Sequence, residues 1–179
     1  MKKYLVLILM IIFIAILGGI IYANSEKTVN GKEELYEKVE EYLVSLEEPN
    51  YFLESKDAEP NYDISDFKVF TDIEKLGIKK RKNQFHVYVW AKVESYYVQD
   101  GKLVSNSGSA APYEFIIEND VVIDYKKPKD GTEYTSSIKE IFPKDIREKI
   151  EQLDLDNTDM KKEVEEYYSY LNEQENEQM

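Results

Sequence analysis

From Tyr4 to Ala23 the chain runs for 20 residues without a charged side chain. As a helix rising about 1.5 Å per residue, this run reaches about 30 Å, the hydrocarbon thickness of a bilayer. It is apolar all round, as lipid requires; a helix at the edge of a globular core would keep a polar face. Lys2 and Lys3 precede it, and the positive-inside rule holds that short side in the cytoplasm and sends the rest outward. The expected organisation is a transmembrane anchor or signal peptide over residues 1–23 and a single extracytoplasmic domain over 24–179, whose tail from Asn172 is polar and expected to fray. Ile21-Tyr22-Ala23 would pass as a signal-peptidase site. The run is nevertheless longer than the 7–15 or so apolar residues of a signal, which favours a single-pass protein of the cell membrane over a secreted one.

Charge and cysteine usage narrow the partners. Net charge is −13, and setting aside Lys2 and Lys3 leaves 21 basic against 36 acidic residues, a net −15 for the exported part. That balance argues against nucleic acid and against docking on anionic lipid headgroups, and leaves the domain open to cationic partners. With no cysteine, disulfides, thiolate chemistry and a lipid-modified cysteine are all excluded, so stability has to come from a packed core.

The exported part begins helical. Asn30 and Glu33 have capping-box spacing, and Leu35, Val39, Tyr42, Leu43 and Leu46 share one face, which predicts a helix over 31–47 before Pro49. Residues 50–65 read as a loop. Beyond Asp66 the period changes to two. Phe67, Val69 and Ile73 open a strand region, Lys82-Asn83 turns the chain, and Gln84 to Val98 is the clearest strand. Phe85, Val87, Val89, Ala91 and Val93 give it an aliphatic face, and His86, Tyr88, Trp90 and Lys92 an aromatic, half-polar one. Asp100-Gly101 and Asn119-Asp120 are hairpin turns, the second between strands at 113–117 and 121–125. Asn106 to Pro112 reads as a flexible small-residue connection. Ser137 and Glu140 form a second capping box, followed by short helices with Ile146, Ile150 and Leu153 on one face and a last helix carrying Met160, Val164, Tyr167, Tyr168 and Leu171.

The expected fold is thus α+β: the N-terminal membrane-spanning helix, one helix, a curved antiparallel sheet of about four strands, and C-terminal helices, with all helices of the domain on one sheet face. On that expectation the aromatic face stays open, and His86, Tyr88, Trp90 and Tyr97 line a ligand groove.

Tyr125-Lys126-Lys127-Pro128-Lys129-Asp130-Gly131, continuing through Tyr134 to Ser137-Ile138-Lys139-Glu140-Ile141-Phe142-Pro143, resembles a bacterial extracytoplasmic domain, and Val87-Tyr88-Val89-Trp90-Ala91 fits the same pattern. That domain lies behind the membrane metallopeptidase of sensor-type proteins of the BlaR/MecR class and occurs in small stand-alone exported proteins. The resemblance covers about the middle half of the chain and implies a sensing or binding accessory domain. A zinc metallopeptidase needs two histidines one helical turn apart with a glutamate between them, whereas His86 is the only histidine. The family therefore lends no catalytic residue.

No other constellation builds a reaction. His86 has neither a second histidine nor a cysteine to help it hold a metal. Asp154, Asp156, Thr158 and Glu165 have calcium-loop spacing, but Asp159 stands where that loop needs glycine. Ser107 and Ser109 flank Gly108 without a strand-to-helix elbow, and no phosphate-binding glycine loop occurs. The expectation is an extracytoplasmic binding or sensing domain without catalytic residue, cofactor or metal, whose partner is a protein or a cell-envelope ligand. The alternatives are a small carboxylate-dependent hydrolase of the envelope and a structural or assembly protein.

Overall fold

The computed structural model describes residues 26–47, 64–154 and 158–177. The apolar run Tyr4–Ala23 lies outside them, and among the described residues no helix is long and apolar enough to cross a membrane. Strand β1 (Lys27–Val29) leads into helix α1 (Glu33–Glu47); then come β2 (Ile64–Arg81), β3 (Gln84–Gln99), β4 (Lys102–Glu118) and β5 (Val121–Lys126). After a 3-10 turn follow α2 (Tyr134–Ile141), α3 (Lys144–Gln152) and α4 (Thr158–Glu177).

The fold is α+β, built on a curled antiparallel sheet in the order β1-β2-β3-β4-β5. The fifth strand is β1, too short to show a period, which pairs Lys27 with Lys80. The turns fall where their residues demand. Asp100 and Gly101 both have positive φ (51° and 70°), as do Asn119 and Asp120 (50° and 63°), the conformation that matches the twist of a two-residue hairpin.

The pleat separates two cores. On one face Leu35, Tyr36, Val39 and Leu43 of α1 pack on Val87, Val89, Ala91 and Val93 of β3 and on Tyr113, Phe115 and Ile117 of β4. Tyr42 meets Phe115 and Tyr125 edge-on, at 6.0 Å in each case. The aliphatic face therefore buries under α1, as its composition requires.

The other face departs from expectation, because helices cover it as well. Phe142 and Ile146, from the α2–α3 segment, seal Leu76 and Tyr88, and Met160, Val164 and Tyr168 of α4 seal Phe70. A bulge makes the first of these contacts possible. Lys75 is opposite Val89 and Gly77 opposite Tyr88, so Leu76 is an extra residue that turns into this core. Gly77 adopts φ +147°, and a Cβ there would lie 3.3 Å from Ile146 Cδ1, so glycine lets α3 close on the strand.

Two local assignments also change. Ser137 is not a helix cap: α2 starts at Tyr134, and the buried Ser137 hydroxyl accepts the Lys129 N–H at 3.0 Å. The helix starts early because the 3-10 turn Gly131–Glu133 feeds it directly. Asn106 to Pro112 is not a loop but part of β4, pairing with β3 from Ser95 back to Trp90. A long neighbouring strand supplied the ladder that the small residues could not specify themselves, and Pro112 falls where β4 has only one partner strand, a position that tolerates it.

Candidate functional site

A hydrogen-bonded group of polar side chains is buried between β3, β4 and β5. Tyr88 is directly opposite Glu114, and Glu114 is opposite Lys126, which puts His86, Tyr88 and Glu114 on the same face of the pleat. His86 is 4% exposed, Tyr88 1% and Glu114 5%. Glu114 Oε1 lies 2.9 Å from His86 Nδ1 and accepts the Tyr88 hydroxyl at 3.1 Å, while Oε2 accepts Lys126 Nζ at 3.2 Å. Burial would raise the Glu114 carboxyl above its ordinary range, but the hydrogen bond from His86 and the charge of Lys126 outweigh it and hold the carboxyl below that range. The Tyr88 hydroxyl is pushed far up, first by burial and then by the Glu114 charge.

An ionised carboxylate only accepts, so His86 Nδ1 is the donor to Glu114 Oε1. Nε2 is buried without a hydrogen-bond partner among the described residues. A histidine oriented by a carboxylate with its far nitrogen unused has the form of a general base, but a base must lie within about 3 Å of the proton it takes. Ile116 stands across the ladder from His86, and among the described residues no hydroxyl or other nucleophile lies within hydrogen-bond reach of Nε2. What this cluster does chemically is tie three strands together through one shared acceptor.

The sequence-proposed groove residues do not converge. His86 and Tyr88 are buried, with Tyr88 under Phe142 at 6.1 Å between ring centroids. Trp90 is half-buried opposite Pro112. Tyr97 belongs to the α1 face, its hydroxyl 3.5 Å from Gln99; its odd position along β3, against the even positions of the other three, already separates it from them. Glu114 was missed, although a lone acid within the apolar run 113–117 was a signal. Thr158 to Glu165 lies within α4 rather than in a loop, and among the described residues no group of three metal-ligating side chains occurs.

A second feature is a bare strand edge. Strand β5 pairs with β4 only over Glu114–Glu118, and the outer edge of β4 from Lys102 to Ala111 has no partner strand among the described residues. Leu103 to Pro112 carries no charge. An extra residue, Asn106, bulges β4 midway, and Ser107 is fixed there by hydrogen bonds to Ser95 (2.8 Å) and to Glu47 at the end of α1 (2.6 Å).

No protein-family model matches the chain, and neither a curated protein nor a solved structure matches it.

Proposed function

We propose that the chain is a membrane-anchored extracytoplasmic binding domain, without catalytic activity, that takes an extended segment of a partner protein as an added strand on β4. The observation that carries this reading is the outer edge Lys102–Ala111, without a partner strand among the described residues and uncharged from Leu103 onward. Exposed edges normally carry charges or proline that discourage pairing, and a bare one is a template for strand addition. Its flanks define the partner's chemistry. Glu47 stands beside Ser107 on one side, Glu94 is opposite Gly108 in the ladder, and the chain as a whole is acidic. A segment with basic or neutral side chains fits, and an acidic one is repelled.

The anchor Tyr4–Ala23 and its flanking lysines support the outward address, and the resemblance of 125–143 to a sensor-type accessory domain supports binding over catalysis. The test is hydrogen exchange on the full chain, alone and in the membranes of the cells that make it. Amides within Leu103–Ala111 that point away from β3 should exchange quickly in the purified protein and become protected in the membranes, and Ala110→Glu should abolish that protection. Equal exchange in both preparations would rule out strand addition at this edge.

A further inference from the structure

We infer that the segment added to β4 is selected by one basic side chain, a lysine or arginine opposite Ser107, whose cation is received by the Glu47 carboxylate at the end of α1. This rests on strand addition at the β4 edge, as proposed above, and supplies the partner's sequence requirement. The Asn106 side chain turns back toward the sheet, where its Nδ2 donates to Ser95 Oγ at 3.0 Å. Ser95 is fully buried, and its Oγ lies 2.8 Å from Ser107 Oγ, which donates to Glu47 Oε2 at 2.6 Å. A hydroxyl has one proton and Ser107 gives its own to Glu47, so Ser95 donates to Ser107. The three bonds therefore run head to tail from Asn106 to the carboxylate, each polarising the next. They fix a half-buried carboxylate beside the strand edge before any partner arrives. No lysine or arginine among the described residues pairs with Glu47, and the last turn of α1 contains no basic residue. The negative end of the helix dipole thus adds to the Glu47 charge, where a cation would offset both.

The register turns this carboxylate into a pattern. Ser107, Ser109 and Ala111 are opposite Ser95, Val93 and Ala91, and Val93 and Ala91 pack under α1. Every second residue of an added strand therefore falls on the α1 side of the sheet. Asn106, the extra residue, interrupts the outer ladder, so a regular strand pairs along Ser107–Ala111 rather than across the bulge. The residue opposite Ser107 then lies beside Glu47, and the short side chains of Ser107 and Ser109 leave a long one free to reach it. Ala111 packs against the core under α1, so the residue opposite it, four positions along the segment, meets an apolar surface. The partner is an extended segment with a cation and an aliphatic side chain four residues apart.

The probes are a dye-labelled peptide, Thr-Val-Thr-Thr-Thr-Arg-Thr, its reversed sequence, and versions with Gln or Glu in place of Arg, titrated against the full chain in phosphatidylcholine nanodiscs. In one of the two directions the Arg peptide should bind about tenfold tighter than its Gln version, the worth of one charge-assisted hydrogen bond, and should slow amide exchange within Ser107–Ala111. Glu47→Gln keeps the side chain's size and an acceptor for Ser107, and it should erase that preference. Glu47→Lys should transfer the preference to the Glu version. If Arg is still preferred after Glu47→Gln, the general acidity of the chain selects the partner; selection by Glu47 is then refuted and strand addition stands. Equal binding of the Arg and Gln versions to the native chain has the same meaning. An Arg peptide that binds without slowing exchange at Ser107–Ala111 would overturn strand addition and selection together. Failure of the Arg peptide to bind in either direction refutes the selection, and the edge is then judged by its protection in the cell membranes.

Discussion

Truncating Glu114 is the sharpest test of the buried cluster. In Glu114→Ala, His86 Nδ1 and the Tyr88 hydroxyl lose their shared acceptor inside the protein, whereas Lys126, about half-exposed, returns to water. A buried polar group left without a partner costs about 1–3 kcal/mol, and two of them, with the lost packing, should cost about 3–5 kcal/mol. That is a large part of the 5–15 kcal/mol or so that holds a domain folded. Replacing the whole cluster, as His86→Leu, Tyr88→Phe and Glu114→Leu together, removes the polar groups along with their partner and should stay within about 2 kcal/mol of the native protein. Urea unfolding of the chain from Asn24 onward, followed by the fluorescence of its one tryptophan, measures both. The depressed Glu114 carboxyl adds a pH signature: its contribution is complete above the ordinary carboxyl value of 4.5 and fades as the pH falls below it, so the native protein and Glu114→Ala should converge in acid. A Glu114→Ala variant within about 0.5 kcal/mol of native, the range of an inert surface change, would refute the shared acceptor. So would a triple variant no more stable than the single one.

Gly77→Ala should lose about 1–3 kcal/mol in thermal unfolding, because it forces a side chain into φ +147° and against Ile146. Phe142→Ala should cost about 3–5 kcal/mol in the same assay and open residues 134–152 to limited proteolysis, since the ring closes the α2–α3 contact with Tyr88 and Leu76. At high pH, Tyr96 is pushed up to about 12 by its hydrogen bond to Glu94, and Tyr168 to about 12 by burial. Both stay protonated in the fold while their unfolded counterparts ionise near the ordinary 10.0. Stability should therefore be intact below pH 10 and fall as the pH rises toward 12, with phenolate absorbance and unfolding tracked together.

What could be read in the chain divides by range. Asp100-Gly101 and Asn119-Asp120 announce their hairpins because two adjacent residues must reach positive φ, and the body of α1 and the extent of β3 follow from periods confined to a few turns or pleats, although α1 begins at Glu33 rather than Gly31, so Asn30 does not cap it. Asn106–Pro112 was illegible for the opposite reason. Its residues have little strand preference, and β3 imposes their pairing. The candidate site was half legible: His86 and Tyr88 stood out as unusual strand residues, but Glu114 became their partner only through a register set across two hairpins.

The apolar length of Tyr4–Ala23, the absence of cysteine, the turns and the two-faced character of β3 all belong to the sequence, because each is decided by residues that are neighbours along the chain. Which helix covers which face was left to the tertiary structure. A half-polar aromatic face is compatible with water, with a ligand or with another helix, and only the bulge at Leu76-Gly77 and the apolar stripes of α3 and α4 select burial under helices. The edge of β4 left open among the described residues likewise follows from β5 being short, a property of the assembled sheet that β4's own residues do not encode.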